Sequence, residues 1–339
     1  MLKILSLLLL IVSSKFSCAE KVLRMAVWGG EIPQSIISDF EKTTGIRVYL
    51  TTIESNESLI IKLNAAQKNL YDLIAPSNYY ISFLKKMGII QPLDAKKIPE
   101  LAHLNKRFVD SSQPLYSVPF IYGASGIFYN KQWIKTYPRH WQDLWSQAYL
   151  FKLLLLDDTR EIFSMALLSQ KLSPNSENSQ DILQAYQQLL KLVPNIKLFA
   201  SDAVPRIITD EDANIGIAWN GDVVRAQQEN HNIEFIYPDE GYILWSEEFA
   251  IIKNSQHTDE AYAFINFILE PKNSAEITKK LHFSVTNECA KDYLTPEIVN
   301  NKILFPNQET LQKGILQAPL NPEALKLYNN YWEKFKLSM

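Results

Sequence analysis

Cysteine is nearly absent from this chain, with 2 in 339 residues, Cys18 and Cys289. Neither sits in a metal-ligand spacing, and a chain of this length builds enough core to be stable without a crosslink. Lys and Arg total 34, yet no stretch gathers them densely enough to track a phosphate backbone, so nucleic acid is not an expected partner. Beyond residue 20 no apolar run approaches the roughly 18 residues that a membrane-spanning helix requires. Phosphate and catalytic signatures are missing as well: there is no G-x-G-x-x-G, G-x-x-x-x-G-K, G-x-S-x-G or H-E-x-x-H. The histidines, His103, His140, His231, His257 and His282, are scattered without ligand spacing. Nucleotide and zinc chemistry are therefore unsupported, and the expectation is a chain with no cofactor, no metal and no catalytic residue.

What is present describes a globular protein. Apolar residues make up 47% and charged residues 21%, a balance that favours a packed core over disorder. The length exceeds what one core usually organises and predicts two lobes. The first residues differ from the rest: Lys3 forms a short basic start, Ile4 to Val12 is apolar apart from Ser6, and Ser17-Cys18-Ala19 supplies small residues for cleavage. This pattern predicts a signal peptide over residues 1–19 and an exported protein. Lipidation at Cys18 is the alternative, against which Lys15 and Phe16 are poor preceding residues. Cleavage after Ala19 leaves Cys289 alone and 32 basic against 37 acidic residues, a mature charge of about −5.

Along the mature chain, Val22 to Val27 reads as a buried strand. Pro33 opens a helix with Ile36, Ile37 and Phe40 on one face and Gly45 as its stop. Ile46 to Ile53 is β-branched and strand-like, Glu57 to Gln67 is helical, Tyr71 to Ala75 is a strand, and Ser77 caps a helix that runs to Met87 and stops at Gly88. Strands alternating with helices predict an α/β parallel sheet. Val118 to Tyr129 reads as two extended pieces around Gly123, suited to a segment crossing between lobes. Further strands are expected at Phe151 to Leu156, Asn214 to Trp219 and Ile233 to Tyr237. Helices follow at Thr159 to Gln170, Asp259 to Leu269 and Pro322 to Phe335.

Aromatic residues form 12% of the chain, including 7 Trp and 16 Tyr, more ring surface than a core needs. Several rings and carboxylates follow apolar strands: Trp28 after the first, Ser77 and Tyr79 after YDLIAP, Asp158 and Glu161 after FKLLLLD, Trp219 after NIGIA, Trp245 and Glu247 after GYIL. Open α/β sheets bind ligands beyond the carboxyl ends of their strands, so these positions are candidates for one crevice. Rings with carboxylates suit an organic cation. A carboxylate gives an ammonium a charge-assisted hydrogen bond, and an indole face adds about 0.5 to 2 kcal/mol. Each residue also has a plainer reading. Asp158-Thr159-Arg160-Glu161 fits a helix capping box, Ser77 fits an N-cap, Tyr79-Tyr80 and Trp219 fit packing, and Glu247-Glu248 fits a solvated strand edge.

At these residues the chain resembles the periplasmic spermidine/putrescine-binding proteins of ABC importers. FEKTTGIRV, ESNESLIIKL, YDLIAPSNYY, LLLLDDTREIFSMAL, IGIAWNG and the stretch from NNKILFPNQET to Gly314 carry the similarity. The resemblance implies a two-lobed periplasmic-binding-protein fold of type II, its lobes joined by crossing segments. Residues 20–123 with 247–291 would form the N-terminal lobe, and residues 124–246 with 292–339 the C-terminal lobe. It also implies a polyamine in the interlobe cleft, delivery to a membrane-embedded ABC permease, a periplasmic location and a monomer. Trp28, Ser77, Tyr79, Asp158, Glu161, Trp219, Trp245, Glu247 and Gln317 fall on the family's ligand-contacting positions.

Some positions depart from that pattern. Glu31 stands where an aromatic is expected, Phe283 where a Tyr would offer its hydroxyl, Glu247 where Asp is usual, and Gly29 where a polar side chain is common. Asp158, Glu161 and Glu247 match the charges of spermidine better than those of putrescine. Glu31 would be a fourth acid, costly if buried without a partner, which leaves the cleft rim as its alternative place. Two readings compete from other classes: an exported hydrolase using Asp158 with Glu161 or Glu247, and a ferric-iron binder on the same fold using Tyr79 and Tyr80.

Overall fold

A computed structural model of the chain describes residues 21–65 and 70–339. The expected signal peptide, Cys18 and the last residues of the helix expected to reach Gln67 lie outside the described residues.

The strands, in chain order, are β1 (Val22–Trp28), β2 (Arg47–Ile53), β3 (Leu73–Ile74), β4 (Val118–Asn130), β5 (Leu153–Leu155), β6 (Ile196–Phe199), β7 (Ile215–Trp219), β8 (Ile233–Ile236), β9 (Tyr242–Ile251), β10 (Ser284–Val285) and β11 (Gly314–Leu316). The helices that position the site are α1 (Gln34–Thr44), α2 (Asn56–Ala65), α3 (Asn78–Lys86) and α4 (Thr159–Ser169). The main sheet path runs β2-β1-β3-β9-β4-β7-β5-β6. Its two flanks are parallel, β1 with β2 and β3 on one side, β5 with β6 and β7 on the other. Between them β9 and β4 run antiparallel to each other and to their neighbours on this path, while β11 pairs with β9 in parallel.

Beside a smaller cluster around Leu59, Ile74 and Leu84, two larger apolar cores lie on either side of this antiparallel pair. One gathers Leu23, Met25, Phe40, Phe120, Phe249 and Phe264; the other gathers Phe128, Trp141, Leu154, Phe163, Tyr242 and Tyr328. β4 passes from the first core at Ile121 to the second at Ala124, and β9 passes from the second at Leu244 to the first at Phe249. All ten residues of β9 are buried. The segment between the cores, Trp245-Ser246-Glu247-Glu248, therefore carries its polar groups inside the protein.

The local sequence explains much of this. α1 buries Ile36, Ile37 and Phe40 on one face and ends at Gly45, whose φ of 72° is left-handed and favours glycine. Elsewhere the structure corrects the reading. Val118 to Asn130 is one continuous strand, and Gly123 does not interrupt it. It pairs with Trp245 across the β4–β9 ladder, where a Cβ would come within 2.2 Å of the indole, so the glycine gives the ring its place. The strand expected over Tyr71 to Ala75 shrinks to Leu73–Ile74. Glu247 and Glu248 occupy no solvated edge; each is 5% exposed, because the sheet continues on both sides of β9. Among the described residues no helix is long and apolar enough to cross a membrane.

Candidate functional site

Glu247 anchors one end of the site. It is held mid-strand in β9, not at a strand end as its place after GYIL led us to expect. Trp28, the last residue of β1, donates its indole N–H to Glu247 Oε2 at 2.8 Å. The Ser77 hydroxyl donates to Glu247 Oε1 at 3.0 Å. Ser77 thus precedes α3 without capping it through its side chain; the hydroxyl is spent on the glutamate instead. Asn56, at the start of α2 and 2% exposed, donates to both Ser77 Oγ and Tyr79 Oη at 3.1 Å, while its Oδ1 accepts from the Ser77 backbone N–H. Tyr79 connects this end to the other, since the Arg160 guanidinium lies 4.9 Å over its ring.

Asp158 and Glu161 form the second end, at the start of α4. Asp158 Oδ1 accepts from the Glu161 backbone N–H at 2.9 Å, the first half of the expected capping box. The second half is absent. The Glu161 side chain, 4% exposed, turns away to accept from Gln317 Nε2 at 3.3 Å, and its Oε2 is buried without a partner. Gln317 is fixed in turn by Asn78 of α3, which donates to its carbonyl at 2.6 Å. Rings span the space between the ends. Trp219, the last residue of β7, meets Trp245 edge to face at 6.3 Å, and Trp245 meets Phe283 at 5.3 Å. A Cβ on Gly221 would approach Phe283 to 2.4 Å, so a second glycine makes room for a site ring.

Burial dominates the electrostatics. It pushes Glu247 well above the usual carboxylate range, and the charge of neighbouring Glu31 pushes further, while the Ser77 and Trp28 hydrogen bonds pull back. Burial likewise raises Glu31 well above its ordinary value. Glu31 is half-buried after the exposed Gly29 and Gly30, yet its Oε2 is buried with no partner, and its charge bears on Glu247. Burial raises Glu161 to about 8, aided by the Asp158 charge and opposed in part by Arg160. Burial also raises Asp158, against the pull of the Glu161 backbone N–H. Taking charged groups out of water favours their neutral forms, and a positive charge placed beside these acids would favour the ionised ones.

The eleven residues expected from the sequence thus fall in one contiguous region between the two cores. Asn56, Asn78 and Arg160 were not singled out, although Asn56 lies in ESNES and Asn78 in YDLIAPSNYY. Polar residues buried by contacts far away in sequence leave no local signal. Tyr79 and Tyr80 point away from iron chemistry: burial raises both phenols, and Tyr80 donates its hydroxyl proton to Glu57 at 2.6 Å. Among the described residues no group of acids, histidines and cysteines is placed to hold a metal ion. A cavity of 430 Å³ opens beside Tyr79 between α3 and the last helix, Pro322–Lys336. Lys86, Arg160 and Lys326 line it, which disfavours a cation there.

Residues 35–306 match the family described as bacterial extracellular solute-binding protein. The chain belongs to that family. It is 36% identical to the spermidine/putrescine-binding periplasmic protein of Salmonella typhimurium, over 91% of this chain and 90% of the relative. It is 28% identical to a putrescine-binding periplasmic protein of Escherichia coli, covering 94% and 92%. Among solved structures, the spermidine/putrescine ABC transporter substrate-binding protein of Streptococcus pneumoniae superposes with a TM-score of 0.81 at 30% identity, over 94% of this chain and 99% of that one. The fold is accordingly the two-lobed type II arrangement of periplasmic binding proteins.

Proposed function

We propose that this protein captures a polyamine, spermidine in preference to putrescine, in the cleft between its lobes and hands it to an ABC permease. The observation that carries the reading is the pairing of buried acids at two ends with indole rings between them. Each acid pair suits an ammonium, and Trp219 and Trp245 suit the methylene chain and its charges. The relatives at 36% and 28% identity support the ligand class by their names, and the higher figure belongs to the one named for spermidine as well as putrescine. In this reading the protein works in the periplasm as a monomer, after its N-terminal 19 residues are removed. Residues 20–123 with 247–291 close on residues 124–246 with 292–339.

A hydrolase reading has less behind it. Acid-pair hydrolysis needs one carboxylate ionised and one protonated, whereas burial pushes Asp158 and Glu161 in the same direction. The relatives are named as binding proteins.

Calorimetric titration with spermidine and putrescine tests the proposal. Saturable binding of at least one is the expected result, and a ligand at 100 times its dissociation constant adds about 2.7 kcal/mol to stability. No heat and no thermal shift with either ligand would overturn it.

A further inference from the structure

We propose that Glu31 is a specificity-determining residue: with Glu247 it forms an acid pair that no Lys or Arg among the described residues neutralises by a salt bridge, and this pair selects amines that bring more than one positive charge to the Trp28 end of the site. The inference rests on the polyamine reading above and deepens it.

The geometry begins with chain connectivity. Glu31 follows Trp28 in the turn that leaves β1, its backbone N–H donating to the Trp28 carbonyl at 3.4 Å. Trp28 in turn donates its indole N–H to Glu247, so one short segment supplies a donor to Glu247 and a second carboxylate beside it. Both oxygens of Glu247 already accept from neutral donors, Trp28 and Ser77. Glu31 Oε2 is the buried acceptor left over. Trp245 lies two residues before Glu247, on the same face of β9, and is 8% exposed with its indole N–H also unpartnered. Buried polar groups are ordinarily satisfied, so unmet groups beside a charged pair point to something that completes them.

The charged groups that bear on the pair are acids. Glu248 is the next residue on β9 and adds to the negative field on Glu247. Trp28 from β1 and Ser77 ahead of α3 are neutral. Among the described residues no Lys or Arg forms a salt bridge with Glu31 or Glu247. Two carboxylates sharing a buried site keep at least one proton between them unless a cation enters. An amine bringing one charge leaves that proton in place. An amine with two closely spaced nitrogens at this end displaces it and meets both carboxylates.

The experiment compares the wild type with Glu31→Gln and Glu31→Tyr. Each is titrated with spermidine and with putrescine, in buffers of different ionisation enthalpy so that released protons are counted. The expected result is that Glu31→Gln lowers the spermidine-to-putrescine affinity ratio about tenfold or more, the loss of one charge-assisted hydrogen bond. Spermidine binding should then release about one proton fewer than in the wild type. Glu31→Tyr should give the same loss of preference, which guards against an effect peculiar to the amide. Equal changes in both affinities, or unchanged proton release, would overturn the role of Glu31 while leaving polyamine capture intact. A wild type that binds neither amine would overturn both.

Discussion

The two ends of the candidate site each hold a pair of acids, but they balance charge differently. At the Asp158–Glu161 end a buried arginine is close enough to lower both carboxylates toward their ordinary range. That arginine is itself fixed by the Ala318 carbonyl and Asn175 Oδ1, at 3.2 and 3.0 Å. At the Glu31–Glu247 end hydrogen-bond donors are present, but among the described residues no Lys or Arg forms a salt bridge with either acid. The lesson is that one end is partly neutralised by the protein, whereas the other depends on protons or a ligand. Solvation is lost at both, and the protein repays it at only one.

The largest effect should come from testing this asymmetry directly. Glu247→Ala removes the acceptor that the Trp28 indole N–H and the Ser77 hydroxyl share, and leaves Glu31 as the remaining acid of the pair. Affinity for spermidine should fall about 100-fold, close to 3 kcal/mol. Glu161→Gln should cost only about tenfold, because Arg160 already offsets part of that charge and Gln317 can still bond the amide. Calorimetry on both variants checks the ranking. Equal losses would mean that Arg160 does not distinguish the ends.

How far the sequence anticipated this asymmetry depends on the range over which each signal acts. β1, α1 and α4 were legible because apolar spacing, Gly45 and the Asp158 cap are local features. The crossing strands were not. Gly123 looked like a break because glycine often is one, yet its absent side chain serves Trp245 on the next strand. Glu247-Glu248 looked like a solvent-facing edge because adjacent acids usually are, yet β9 is flanked by β3 and β4 and keeps them inside. Ser77 kept its predicted position while its hydroxyl answered a residue 170 positions away. Residue types and the family resemblance assembled the candidate site; which oxygen meets which donor was written only in tertiary contacts.

A medium effect should appear in the pH dependence of the ligand-free protein. Burial raises Glu161 to about 8 and both Glu248 and Asp222 to about 7. The folded state therefore binds more protons than the unfolded chain from the ordinary carboxylate range up to those values. By linkage, stability falls as pH rises across that window. The melting temperature should drop by about 5 °C or more between pH 5 and pH 8. Saturating spermidine should flatten the slope, since its charges favour the ionised acids. A melting temperature that rises with pH over this range would contradict the placement of these groups in buried, uncompensated positions.

The smallest effect should separate the two indoles that join the ends. Trp219 sits beside Glu161 and its indole N–H helps hold that carboxylate down, whereas the Trp245 N–H is buried with no partner. Replacing either with Phe keeps an aromatic face and weakens cation–π attraction by about 0.5 to 1 kcal/mol, a three- to fivefold loss of affinity. The variants should differ in their proton behaviour. Trp219→Phe removes a donor from Glu161 and should raise its proton affinity, steepening the fall of stability with pH. Trp245→Phe removes only an unmet donor and should leave that slope unchanged, with stability held or slightly improved. If both variants shift the pH profile alike, the indole N–H of Trp219 does not act on Glu161, and the rings contribute through their faces alone.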